Sequence, residues 1–495
     1  MKIKKFGAAL LAFMLMTTNV AALEGEMGYF GGITPGTKLP TSIELAQEDY
    51  QVAANYTLPY KEVVYLSGDA VEVEGTITVQ SGMVGIDFRA EPTGSYTESY
   101  VINATSPDGR GSVTRNMTLT TQYVYNEGLD QLIKSSRVTN WNETVAADGS
   151  AYTLDQASSH FTKSIIEEHT PGVTYYSGDV YYKAVYNQGD SPTTMEVNSR
   201  IYGYDQAFAK TETQVRTISI DDGEDQYFIK ETPSITMNKE IFYSSNEPYA
   251  ISFAGNYKEL IQGYGAVKYD ILVGNDELRS NQMTGVVGVD DTFLLDQMAL
   301  PSLPQLQGHP ARTDIEKLYS MGIYDVNPIA FSPNQAITRG EYITMLVKTL
   351  GIELPDVTSR RAVLMDFEDV AKTDPNYQYI YAAYNAGLIN STTVNPDDYI
   401  TREELIVFNV RALGLQRLGL GIPTIQTSFM DDSKISNYAK SSLYVAGQIG
   451  IIPNSNGYIF PDMNVSYADC AVFLNLFIDY LRYGLQKDYN QMMML

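Results

Sequence analysis

Along residues 23–300 apolar and polar positions alternate. Val71, Val73, Gly75, Ile77 and Val79 share one parity while Glu72, Glu74, Thr76, Thr78 and Gln80 share the other, the pattern of a strand with one buried face. Val113, Met117, Leu119, Tyr123 and Tyr125 follow the same rule before Asn126. Val173 to Tyr186, Met195 to Tyr204, Val215 to Ile220 and Val267 to Val273 read as further strands. Turn clusters such as Ser67-Gly68-Asp69, Ser106-Pro107-Asp108-Gly109 and Asp148-Gly149-Ser150 stand between them. Short strands at regular spacing predict a mainly β, sandwich-like region of one long unit or two in tandem. Leu129 to Ser136 is the one stretch with a short helical pattern.

The grammar changes near Pro301-Ser302-Leu303-Pro304, where two prolines mark a linker. Beyond it, Ile343, Leu346, Val347 and Leu350 form a helical stripe, and so do Ile406, Val407, Val410 and Leu413. Aligned on itself, this region gives three copies of one unit. Each has an apolar residue seven positions before a glycine, then a turn with proline and a Ser/Thr-x-x-Glu/Asp helix start. The first copy carries Ile315, Gly322, Pro333 and Thr338-Arg339-Gly340-Glu341. The second carries Ile380, Gly387, Pro396 and Thr401-Arg402-Glu403-Glu404, and the third Leu443, Gly450, Pro461 and Ser466-Tyr467-Ala468-Asp469. The spacing is 65 residues from Gly322 to Gly387 and 63 from Gly387 to Gly450. A unit too small to bury its own apolar face needs such stacking. The organisation expected is 23–300 for the β region and 301–360, 361–422 and 423–495 for the repeats.

Helix nucleation accounts for part of the repeated motif. In Thr338-x-x-Glu341 and Thr401-x-x-Glu404 the Thr accepts from the N3 amide and the Glu reaches back to the Thr amide, a capping box worth about 1 kcal/mol. Ser466 and Asp469 preserve the box in the third copy. Arg339 and Arg402 fall at N1, where a cation opposes the helix dipole. Capping does not explain them, and they are candidate binding residues.

Ile337-Thr338-Arg339-Gly340-Glu341 and Ile400-Thr401-Arg402-Glu403-Glu404 resemble the ITRAE motif of S-layer homology (SLH) repeats. His309-Pro310-Ala311 is similar to the HWA of that family, and Phe367-Glu368-Asp369-Val370 to its FxDV opening. The resemblance covers residues 301–495 and leaves the β region unassigned. It implies an α-helical three-repeat domain that anchors a protein to secondary cell-wall polysaccharide, often bearing pyruvate ketals, with the motif arginine at the ligand. The polymer-binding residues it implies are Arg339, Arg402, Thr338, Thr401, Gly322 and Gly387. A guanidinium fork suits a carboxylate, and a helix N-terminus offers free amides beside it. The competing reading pairs both arginines with nearby acids. Tyr467 stands where the third arginine belongs, and Pro310 replaces the aromatic usual after His, so one or two working sites are expected. Other S-layer subunits are further partners under this resemblance.

Composition narrows the rest. The chain has 495 residues with 59 Asp+Glu against 34 Lys+Arg, a net charge of −25, which excludes the basic footprint of a nucleic-acid binder. A single cysteine, Cys470, excludes a disulfide framework and a thiolate zinc site. His160, His169 and His309 lack a ligand pattern, and Asp221 to Asp225 and the pair Asp290-Asp291 read as solvated turns rather than calcium loops. No metal or cofactor is expected. Lys2, Lys4 and Lys5, the apolar run Phe6 to Met16 and Val20-Ala21-Ala22 read as a signal peptide over 1–22. Its removal takes three lysines and no acid, moving the charge to −28. Ala468 to Leu485 is apolar but interrupted by Asp469, Asp479 and Arg482, so a packed helix is expected and no membrane span. Tyr numbers 38 against one Trp, Trp141, which fits sheet packing or a glycan or protein contact surface. No GxSxG, HExxH or P-loop occurs, and no catalytic residue is predicted. The reading is a secreted, non-enzymatic surface protein, an S-layer or S-layer-associated protein held on the cell wall. The alternative is a wall-anchored enzyme acting on polysaccharide or peptidoglycan through residues 23–300.

Overall fold

The computed structural model describes residues 29–34, 54–188, 191–244, 256–273, 283–355, 357, 364–416, 425–453 and 455–493. The expected signal segment 1–22 and the repeat boundaries at 360 and 422 lie outside the described residues. A mainly β region is followed by a helical one, as the pattern predicts.

Among the described residues, thirteen strands form one continuous antiparallel sheet. They are β1 (Asn55–Val64), β2 (Val71–Ser81), β3 (Thr93–Thr105), β4 (Gly111–Asn126), β5 (Gln131–Ala147), β6 (Ser150–Leu154), β7 (His160–His169), β8 (Thr174–Gln188), β9 (Ser191–Asp205), β10 (Ala209–Asp221), β11 (Gln226–Ser244), β12 (Asn256–Val273) and β13 (Met283–Ala299). They pair in chain order, with β6 and β7 sharing the space between β5 and β8. Of one unit or two, the strands make one. The alternation explains the register: Val71, Val73, Ile77 and Val79 are all buried, and Ile77 faces Ile102 across the β2–β3 pair. The helical pattern at Leu129 to Ser136 does not form a helix. β5 starts at Gln131, and Leu132, Lys134 and Ser136 all point to the buried side, because pairing with β4 and β7 satisfies the backbone of the whole run.

The sheet rolls so that its beginning meets its end. Just past β1, the Tyr65 hydroxyl donates to Glu231 on β11 at 2.8 Å, and the Tyr65 ring lies 5.8 Å from that of Tyr269 on β12. Residues Tyr29–Thr34 run through the interior. Ile33 exchanges both backbone hydrogen bonds with Lys61 at 2.7 and 2.9 Å. Phe30 packs among Trp141, Phe161 and Tyr182 at 6.0 to 6.4 Å, with the Arg115 guanidinium 4.0 Å above its ring.

That interior also holds charge. Arg115 bridges Glu62 and Glu143, each at 2.8 Å, and all three are buried. Buried ions persist only when paired and fully hydrogen-bonded. Tyr60 donates to Glu62 at 2.7 Å, while Trp141 and Tyr186 donate to Glu143 at 2.8 and 3.1 Å. Much of the tyrosine excess thus lies inside, the rings of Tyr60, Tyr65 and Tyr186 filling core volume while their hydroxyls donate to carboxylates.

Seven helices follow among the described residues: α1 (Arg312–Ser320), α2 (Arg339–Leu350), α3 (Tyr377–Asn385), α4 (Arg402–Ala412), α5 (Lys440–Ile449), α6 (Tyr467–Asp479) and α7 (Leu485–Met493). A short π-helical turn, Tyr480–Gly484, joins the last two. α2 packs on α3, α4 on α5 and α6 on α1, so the three helix pairs close into a ring. Among the described residues no helix is long and apolar enough to cross a membrane. Residues 301–304 do not act as a free linker, since Leu300, Leu303 and Leu306 are buried in a core that joins both regions. The ring docks on the sheet through backbone acceptors: Thr170 Oγ1 and Gly172 N donate to Ala412 O at 3.0 and 2.8 Å, Gln206 to Leu481 O at 2.7 Å and Tyr489 to Tyr176 O at 3.1 Å. A Cβ on Gly172 would stand 2.6 Å from the Leu350 side chain, which explains a residue without one at this seam.

Candidate functional site: the three-repeat ring

The site is built from the helix starts of α2, α4 and α6. Thr338 with Glu341 and Ser466 with Asp469 form full capping boxes, while at Thr401 only the Glu404 arm is made, since the buried Thr401 Oγ1 has no partner among the described residues. The residue before each cap lies on a shared axis. Ile337 N donates to Val465 O at 2.9 Å, Val465 N to Ile400 O at 3.0 Å and Ile400 N to Ile337 O at 3.2 Å, a closed triangle of backbone hydrogen bonds between fully buried residues.

Around this triangle each capping acid works in two directions. One oxygen accepts from its own cap amide: Glu341 Oε2 from Thr338 at 2.7 Å, Glu404 Oε2 from Thr401 at 3.0 Å and Asp469 Oδ2 from Ser466 at 3.2 Å. The other accepts from the N1 side chain of the preceding copy. Arg339 donates to Glu404 Oε1 at 2.5 Å, Arg402 to Asp469 Oδ1 at 2.9 Å and Tyr467 to Glu341 Oε1 at 2.9 Å. The unfavourable position of each arginine against its helix dipole is offset by the next acid in the ring.

Each arginine has a second tie. Arg339 reaches Val394 O at 3.0 Å and Arg402 reaches Ile459 O at 3.4 Å. Those carbonyls are held in place by an aspartate. Asp369 accepts from Val394 N and Asn395 N, and Asp431 from Ile459 N and Phe460 N at 3.1 and 2.8 Å. The FxDV aspartate therefore shapes the loop that receives the arginine. In the first copy the equivalent residue is Gln305, which donates instead to Pro328 O and Phe331 O. Where the ring has Tyr467 in place of a cation, it also has an amide in place of the acid.

The helix-start amides are not free. Arg339 N and Gly340 N donate to Asp398 O and Pro396 O, Arg402 N and Glu403 N to Met463 O and Pro461 O, and Tyr467 N and Ala468 N to Gln335 O and Pro333 O. The expected role of free amides beside a ligand therefore does not hold, because neighbouring copies consume them. Gly322 and Gly387 sit at the C-terminal ends of α1 and α3 with φ of 71° and 78°, exposed and with open space where a Cβ would stand. Gly450 repeats this at the end of α5 with φ 76°, the left-handed stop that glycine accepts without strain.

Other candidates have structural roles. His309 Nδ1 accepts from Ala311 N at 3.2 Å at the entry to α1. Cys470 is fully buried beside Met345, and burial pushes its thiol up to about 12, leaving it an inert core group. The acids of the turn at Asp221 and Asp222 accept from Gly223, Glu224 and Asp225 amides. In the sheet, Glu62, Glu143 and Glu231 line one cavity of about 30 Å³ with Arg115, Arg216 and Tyr65, large enough for water. Burial, with Glu62 nearby, pushes the Glu231 carboxyl up to about 7 although Arg216 lies 2.7 Å away. Strand parity places Glu62, Arg115, Glu143 and Glu231 on the inner face, but their meeting could not be read from sequence.

The family model for the S-layer homology domain matches residues 306–343 and 366–406. The chain thus carries SLH repeats, as the motifs resemble, and this domain implies anchoring at the cell surface or wall. Its third copy, which closes the ring, lies outside both matched stretches. Curated relatives include an amylopullulanase of Thermoanaerobacterium thermosulfurigenes, 30% identical over 168 residues, or 33% of this chain and 9% of that protein. An endoglucanase of Bacillus sp. (strain KSM-635) is 29% identical over 155 residues, covering 30% and 16%. Exoglucanase XynX of Acetivibrio thermocellus is 31% identical over 159 residues, covering 32% and 14%. The chain spans between 9% and 16% of the length of these relatives. All three are named as enzymes, which overturns the expectation of a non-enzymatic protein. That expectation rested on the acidic charge, the low Cys count and absent short motifs, and none of these bears on acids that meet only in the fold.

Proposed function

We propose that this chain is an exported protein held on the cell wall by its SLH ring through secondary cell-wall polysaccharide, and that the attached β region acts on polysaccharide there. The observation that carries the first half is the pair of cationic junctions, Arg339 with Glu404 and Arg402 with Asp469, in residues that belong to or directly complete the SLH match. The Arg339 and Arg402 side chains are 18% and 13% exposed, so part of each remains open beside an acid. A carboxylate-bearing sugar can share that fork. Thr338 and Thr401 fix the helix starts that hold the arginines, and Gly322 and Gly387 leave open surface at the far ends of the partner helices. The third junction, with Tyr467, is assigned to closing the ring. The second half is supported by the names of the relatives. The cavity around Glu231 admits water and not a sugar ring, so its acids are not assigned as catalytic.

Two assays on the full chain test this. Arg339→Gln with Arg402→Gln is expected to lose binding to sacculi while keeping a cooperative melt, and retained binding contradicts the anchoring half. Reducing-sugar release from wall glycans and plant polysaccharides is expected from the wild type, and silence across the panel contradicts the enzymatic half.

A further inference from the structure

The three junctions of the ring differ in one respect that capping and ring closure do not require. At the junction between the second and third copies the loop reads Tyr458-Ile459-Phe460, and both aromatic rings are exposed, at 40% and 44%. They stack at 5.6 Å with an interplanar angle of 19°. The Arg402 guanidinium lies 5.9 Å from the Phe460 ring, and its buried Nε has no acceptor among the described residues. Met430 and Met463, also exposed, are tied into the same loop through Met430 N to Gly457 O and Met463 N to Phe460 O. The corresponding positions of the other two copies are Thr393 and Asn395, and Ala330 and Ser332, so neither offers a ring.

Phe460 is held at φ +52°. Asn395, in the same place in the second copy, has φ +51° and is a residue that accepts this conformation. A bulky aromatic does not, and stability alone would favour Asn or Gly. A strained, exposed ring placed beside a cation is the arrangement that marks a ligand contact.

We infer that Tyr458 and Phe460 form a stacking platform for a sugar ring, and that this junction, rather than all of them equally, sets which wall polysaccharide the protein holds. The inference rests on the anchoring reading above. The outer face of the stacked pair meets the apolar face of a pyranose, and the adjacent guanidinium meets an acidic substituent.

The test uses the full chain titrated with the polysaccharide released from purified sacculi by acid, comparing wild type with Phe460→Gly and Tyr458→Ala. Phe460→Gly is expected to weaken binding at least about tenfold while its melting midpoint stays or rises, because glycine accepts the left-handed backbone. Tyr458→Ala is expected to weaken binding similarly. Wild-type binding that both variants match overturns the platform and leaves anchoring in place. A lower melting midpoint for Phe460→Gly with unchanged affinity assigns the ring to folding and also overturns it. Failure of the wild type to bind overturns the anchoring reading and the platform together.

Discussion

Tyr467 donates its hydroxyl to Glu341 Oε1 at 2.9 Å across 126 residues of chain, closing a ring whose other two clasps are made by arginines. Burial and the adjacent Glu341 push the Tyr467 hydroxyl well above its usual range, so it remains a donor throughout physiological pH. The third repeat is thus a neutral version of the same clasp, matched by Gln305 in the facing loop.

Removing that hydroxyl leaves a capping acid with one partner fewer. Tyr467→Phe is expected to cost about 1.5 kcal/mol, the range for a hydrogen bond to a charged group, seen as a lower urea midpoint at unchanged slope.

The Arg339–Glu404 pair couples two repeats and is mostly shielded from solvent. A double-mutant cycle of Arg339→Ala and Glu404→Ala is expected to show coupling of about 1 kcal/mol, at the upper end for an exposed pair. Glu404→Ala alone should cost more than Arg339→Ala, because it also removes the acceptor of the Thr401 amide. Equal costs and no coupling would remove the clasp from the account.

Glu231 gives the sheet a pH dependence of definite sign. Its folded pKa is raised from 4.5 to about 7, so between those values the folded state binds more protons than the unfolded one. This contribution is fully present below about pH 4.5 and is lost as pH rises through 7. Glu231→Gln is expected to flatten that part of the stability profile in denaturant titrations, and a profile identical to wild type would contradict it.

Phe30 sits on a short inner segment rather than on the sheet, yet it is 4% exposed and touches three aromatic rings and Arg115. Phe30→Ala is expected to destabilise by about 3 to 5 kcal/mol, the cost of emptying an aromatic site in a core. A surface-like loss below about 0.5 kcal/mol would show that the segment is not part of the core.

The alternating parity of Val71 to Val79 and Val113 to Tyr125 carried the strands, because one buried face imposes period two on the chain. The capping boxes were equally legible, since their partners are three residues apart. What stayed hidden is everything that joins distant residues. Arg115 has its partners Glu62 and Glu143 53 and 28 residues away, beyond the reach of any local pattern. The clasp made by Tyr467 was hidden because its partner acid, Glu341, belongs to the first repeat. Leu129 to Ser136 shows the reverse failure, a local helical spacing overruled by pairing with strands on both sides.

Anchoring of the SLH ring on wall polymer is tested by co-sedimentation of the full chain with purified sacculi before and after chemical removal of the secondary polysaccharide. The protein is expected to pellet with intact sacculi and to stay in the supernatant with stripped ones. Equal pelleting with both, or with neither, would contradict it.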